Sequence, residues 1–263
     1  MLIKEIEIQN SQSILGFETT GGDNWEKWDR FLTIEDKQAY HIGNICGTCA
    51  FFFERMGGAN QSVPVEELVG SLNSGIGKLD DGMIDRLKTI IPDGKYLVTL
   101  SQIQPQLSSP LSDQDYFSHE QVDLWGMDGF WGLPHNPKTE YYRLTSKILK
   151  EQRGFFEFLV PTFPHTWLKQ ERVEEYKSKI SKANQPTVVS LSVLDVKQPA
   201  DWNGDPKITS HWCLAHYLLD GHHKAYASAM SGRPITMISF IALDQGISTA
   251  EQVLWLIESK SEY

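Results

Sequence analysis

Cysteine is scarce in this 263-residue chain, which carries only Cys46, Cys49 and Cys213. That number is too small and too odd for a disulfide scaffold, and it points to a reducing compartment. Long apolar runs are missing as well. No stretch approaches the roughly 20 residues that a membrane helix needs. The first residues, Met1-Leu-Ile-Lys-Glu-Ile-Glu-Ile, alternate apolar with charged side chains and lack the apolar centre of a secretion signal. Together these absences predict a cytoplasmic protein with no membrane partner. Positive charge is also short, with 24 Lys and Arg against 34 Asp and Glu for a formal net charge of −10. Nonspecific nucleic-acid binding depends on neutralising phosphates with basic side chains, so this balance argues against nucleic acid as a partner.

What remains is an ordinary globular composition, 40% hydrophobic and 22% charged, long enough to bury a substantial core. There is no internal repeat and no low-complexity tract. Alternation at Leu2 to Ile8 reads as a strand, with a further apolar stretch at Ser13 to Phe17 and a turn at Gly21-Gly22-Asp23-Asn24. Ala-Phe-Phe-Phe-Glu-Arg-Met before Gly57-Gly58 predicts a helix starting near Cys49, and Pro64 to Leu72 and Gly82 to Ile91 predict two more. Lys95 to Ile103 and Phe155 to Pro161 read as strands, and Gln170 to Ala183 as a polar helix with Val173, Tyr176 and Ile180 on one stripe. Residues 104–140, rich in Pro, Ser, Gly and aromatic side chains, read as a long irregular connection bearing Trp125, Phe130 and Trp131. The pattern predicts an α/β (α+β) protein with a soft domain boundary near residue 184, giving a mixed region 1–183 and a C-terminal domain 184–263.

The densest chemistry lies in the C-terminal part. His211 to Leu219 is apolar on both faces and reads as a buried strand. It delivers Asp220, Gly221, His222, His223 and Lys224 into a turn that opens a short helix, followed by Ser231-Gly-Arg-Pro and the apolar run Ile235 to Leu243. A glycine there allows a sharp turn, and the unpaired amides of the helix's first turn then face outward beside basic side chains, which is how a chain builds an anion site. Asp220 can alternatively cap the helix while the histidines make ordinary hydrogen bonds.

The Asp220-Gly221-His222-His223-Lys224 turn, the alanines at 225, 227 and 229, Gly232-Arg233-Pro234-Ile235 and the upstream strand Pro186 to Leu194 resemble the phosphate-binding unit of the ParB/sulfiredoxin-like superfamily. The likeness covers about 184–258, and Lys224 stands where members more often have Arg. The resemblance implies a ParB/sulfiredoxin-like C-terminal core that binds a nucleotide or another phosphorylated small molecule. ATP or ADP with Mg²⁺ are the implied cofactors. In that reading Gly221, His222, His223 and Lys224 hold phosphate, while Asp220 and His223 are the catalytic candidates, Asp220 binding a metal ion or orienting the acceptor. A sulfiredoxin-like activity needs a cysteine in this turn, where the chain has His222. A noncatalytic scaffold and a ParB-like DNA-binding or nuclease protein are the competing readings.

A second constellation is His41-Ile-Gly-Asn-Ile-Cys46-Gly-Thr-Cys49. A Cys-x-x-Cys knuckle can present two thiolates to a structural Zn²⁺, with His41 as a third ligand and His211 or Cys213 as a distant fourth. The same spacing also suits a redox dithiol. Reduced cysteines packed beneath Phe51 to Phe53 are the third possibility.

Overall fold

The computed structural model describes residues 2–22, 24–60, 63, 69–181, 185–199 and 208–261. Strands and helices are mixed along the chain, as an α/β (α+β) protein requires. The centre of the molecule is built from the most apolar segments. Strands β10 (Thr187–Lys197) and β12 (Ile235–Ala242) are buried along their whole lengths, and β11 (Ser210–Asp220) is nearly so. Such segments are stable only with partners on both edges and cover on both faces. The partners are β1 (Leu2–Ile8), β6 (Gly94–Ile103), β7 (Gln106–Ser108), β8 (Tyr141–Ile148) and β9 (Arg153–Pro161), in an eight-stranded sheet ordered β1-β6-β12-β10-β11-β9-β8-β7. The pairs β10–β12 and β11–β9 are parallel and the others antiparallel.

A smaller sheet covers one face. It is ordered β2-β3-β4-β5 and comprises β2 (Leu15–Gly22), β3 (Trp25–Ile34), β4 (Lys37–Asn44) and the short β5 (Glu54–Arg55). Glu35 and Asp36, both at positive φ, make the two-residue turn that joins β3 to β4. Leu32, Ile34, Tyr40 and Ile42 of this sheet share a core with Leu191, Val193, Ala215 and Tyr217 of the large one. On the opposite face lie three helices. Helices α4 (Gln170–Ser181) and α5 (His222–Ser231) bury Val173, Tyr176, Ile180, Ala225 and Ala227 against Val188, Leu218 and Met237. Helix α6 (Ala250–Ser261) buries Val253, Leu256 and Ile257 against Leu194, Trp212 and Leu214. Its start is fixed by a reciprocal cap, in which Thr249 Oγ1 accepts from the Gln252 amide at 3.2 Å and Gln252 Oε1 from the Thr249 amide at 2.8 Å.

Three expectations need correction. Residues 49–56 are not a helix: Phe51 and Phe53 are buried with Phe52 between them on the other side, an alternation that suits extended chain ending in β5. Residues 104–140 are not wholly irregular, since they contain β7 and α3 (Glu120–Trp125). The boundary near 184 does not separate layers, because β12 pairs with β6 and β11 with β9 across it. The helix expected from Pro64 is described only as α1 (Val69–Ser74), and that from Gly82 is α2 (Asp81–Leu87) continued by a 3₁₀ turn. Residues 64–68 and 182–183 of the expected helices lie outside the described residues.

Candidate functional site

The turn after β11 has the expected strand–turn–helix form. Gly221 adopts φ 101°, a left-handed conformation that closes the strand against α5. The first intrahelical bond runs from the Ala225 amide to Gly221 O at 2.8 Å, so the amides of His222, His223 and Lys224 lie ahead of the helical ladder. They border a cleft of about 590 Å³ between α5, α4 and the chain segments around Ile14, Val63 and Val69. Asp220, Gly221, His222, His223 and Lys224 all line it.

Their side chains do different things. Lys224 turns inward and is 3% exposed, its Nζ bonded to Thr187 O at 2.9 Å and to Asp220 Oδ2 at 2.8 Å. Burial lowers its pKa, and Asp220 partly restores it. Lys224 therefore ties the turn to β10. His222 is buried, stacked on Phe163 at 3.6 Å, with its Nε2 accepting from the Thr162 amide at 3.0 Å. Burial, and then the neighbouring His223 and His165, hold it well below the usual imidazole pKa, so it is neutral. His223 is more open. Its Nε2 accepts from the Lys169 amide at 3.0 Å, and burial followed by Arg172 and Lys169 lowers its pKa.

Arg172, on the first turn of α4, brings a cation to the cleft from the other side. Its guanidinium is exposed, and no hydrogen bond or ion pair to a described residue holds it. It lies close enough to His223 and Lys224 to lower the pKa of both. Sequence reasoning missed it because α4 reads as a polar helix whose charged face belongs in solvent. One signal was available: Arg172 and Tyr176 are spaced i, i+4, so Arg172 flanks the stripe that faces the core. Phe163, Tyr176, Val69 and Leu219 add apolar wall to the same cleft.

The knuckle residues have other partners. Cys46 and Cys49 are joined as a disulfide with their Cα atoms 5.5 Å apart. The His41 ring stacks on Phe31 at 4.7 Å and its Nε2 meets Asp29 Oδ1 at 3.0 Å. The His211 ring packs tilted against Trp125 with centroids 3.8 Å apart, and Cys213 is fully buried with its thiol pKa pushed up by burial. Among the described residues no group of three or more His, Cys, Asp or Glu side chains is assembled to hold a metal ion.

A serine–histidine–glutamate series crosses the large sheet on its helical face. His216 Nδ1 meets Ser192 Oγ at 2.7 Å, and His216 Nε2 meets Glu157 Oε1 at 3.0 Å. Ser239 and Ser190 extend the row, and Lys260 of α6 closes it on Glu157. Nucleophilic catalysis needs a hydroxyl that a substrate can reach. Ser190, Ser192 and Ser239 are 0% exposed and His216 is 2% exposed, so the row is a satisfied polar seam of the core.

No family model matches the chain, and no curated protein or solved structure matches it.

Proposed function

We propose that the protein binds a nucleotide or another phosphorylated small molecule in the cleft at the Asp220–Lys224 turn. The observation that carries this reading is the meeting of the unladdered amides of α5 with the exposed Arg172, which no described residue pairs, at one cleft of about 590 Å³. Helix amides and a guanidinium fork are complementary to phosphate oxygens, and a cleft of this size suits a nucleotide. Phe163, half-buried at the cleft, offers aromatic surface for a base. The resemblance to the ParB/sulfiredoxin-like unit supports the same ligand class.

In this reading the roles within the turn divide. Lys224 holds the turn in shape and partly neutralises Asp220, while Arg172 and the amides contact phosphate. Asp220, its side chain 20% exposed, would share a hydrated Mg²⁺ with the ligand's phosphates, since that ion commonly takes only one or two protein carboxylates. His223, the more open histidine, is placed to exchange a proton with an acceptor hydroxyl if phosphoryl transfer follows. The alternative is a noncatalytic scaffold, favoured by one feature. Phe130 and Met127, 85% and 71% exposed, project from a loop that Asp128 pins by accepting from the Phe130 and Trp131 amides at 2.8 and 3.2 Å.

Calorimetry with ATP, ADP and inorganic phosphate, with and without Mg²⁺, separates the readings. We expect binding by the wild type and affinity roughly 10- to 100-fold weaker for Arg172→Ala, equivalent to about 1.5–3 kcal/mol for hydrogen bonds to a charged group. Equal heats for the two proteins, or none for either, leave the scaffold as the better account.

A further inference from the structure

Cys46 and Cys49 form a second place where chemistry is exposed. Both cysteines are half-buried and Ile45 beside them is 43% exposed, so the loop lies at the protein surface. The loop carrying them is anchored at each end: the Ile45 amide donates to Trp28 O and the Gln198 amide to Gly47 O, both at 2.8 Å. Two polar groups contact Cys46, one at its sulfur and one at its backbone carbonyl. The Thr48 hydroxyl lies 3.4 Å from Cys46 Sγ, and the buried ammonium of Lys197 donates to Cys46 O at 3.1 Å. A bridge spanning so few residues restricts the unfolded chain less than a long-range one does, so stability is a weak reason for it. In a chain otherwise without paired cysteines, a disulfide in a surface loop with a hydroxyl beside one of its sulfurs is arranged for exchange.

We propose that Cys46 and Cys49 are a redox-active dithiol/disulfide couple that exchanges with low-molecular-weight thiols and disulfides, with Cys46 as the attacking sulfur. In the reduced protein the Cys46 thiolate attacks one sulfur of a disulfide RSSR. The S–S bond of RSSR breaks, RS⁻ leaves, and a Cys46–S–S–R mixed disulfide forms. Cys49 then loses its proton to water and attacks Cys46 Sγ, closing the Cys46–Cys49 bond and releasing the second RS⁻. The protein dithiol is oxidised by two electrons and one RSSR is reduced to two thiols. Excess thiol drives the same steps in reverse. The Thr48 hydroxyl donates to Cys46 Sγ while it carries charge.

Mass spectrometry of the folded full-length chain tests this with glutathione disulfide as the probe. We expect Cys49→Ser to accumulate one glutathione adduct on Cys46, Cys46→Ser to gain adduct at least tenfold more slowly, and Thr48→Val to slow adduct formation several-fold in the Cys49→Ser background. The wild-type disulfide should open in excess reduced glutathione without loss of the folded circular-dichroism signal. Three results overturn the proposal: a disulfide that opens only on unfolding, equal adduct rates on the two cysteines, or a reduced protein that takes up zinc and thereby shields both sulfurs from maleimide. None of these results bears on nucleotide binding at the α5 cleft, so the two readings stand or fall separately.

Discussion

Lys224 shows how a motif residue and a contact residue can differ. In the sequence it completes a basic turn, yet in the fold its charge is directed into the protein, where it satisfies a backbone carbonyl and one carboxylate oxygen. Lys224→Ala leaves Thr187 O and Asp220 without that donor, and we expect a loss of about 1–3 kcal/mol in urea denaturation. Glu157 is a second residue whose burial predicts behaviour. Desolvation works to raise its pKa, but the Lys260 ammonium and the His216 imidazole outweigh it and hold the carboxyl below the usual carboxylate range. Because the folded pKa is depressed, the contribution to stability is present above the unfolded carboxylate pKa of about 4.3 and is lost as pH falls below it. Lys260→Met should therefore lower the urea midpoint near neutrality, and its deficit relative to wild type should shrink progressively as the medium is acidified through that range. A deficit independent of pH would show that Lys260 acts through packing alone.

At the level of elements, the unit from β11 through α5 to β12 was legible because its strands are apolar on both faces and its turn residues have specific conformational jobs. Gly221 is the test of that legibility. A side chain there would place its first carbon 2.5 Å from Val188 Cγ1, at a φ of 101° that suits glycine. Gly221→Ala should cost about 2 kcal/mol or more, read as a lowered thermal midpoint. Elements whose signals conflict were not legible. Strand β3 starts with exposed Trp25, Glu26 and Lys27 before turning fully buried, so neither alternation nor a continuous apolar run marks it. The segment after Cys49 has consecutive phenylalanines that fit a helix as well as a strand, and only the buried environments of Phe51 and Phe53 decide between them. The site was legible to the same degree: the turn came from local sequence, whereas Arg172 joins it only through the packing of α4 on α5.

Across the whole molecule, strand order is what local sequence could not supply. Residues 187–242 form the middle of the large sheet, while its flanks come from residues 2–8 and 94–103 on one side and 106–161 on the other. A ribosome delivers both flanks before any of the three central strands. Until β10, β11 and β12 emerge, each of the two earlier groups keeps one open hydrogen-bonding edge, because β6 lacks β12 and β9 lacks β11. Long-range pairing of this kind also slows closure. Between the completion of β9 and the arrival of β10 the nascent chain thus holds two incomplete half-sheets, and its dependence on protection from aggregation is greatest there.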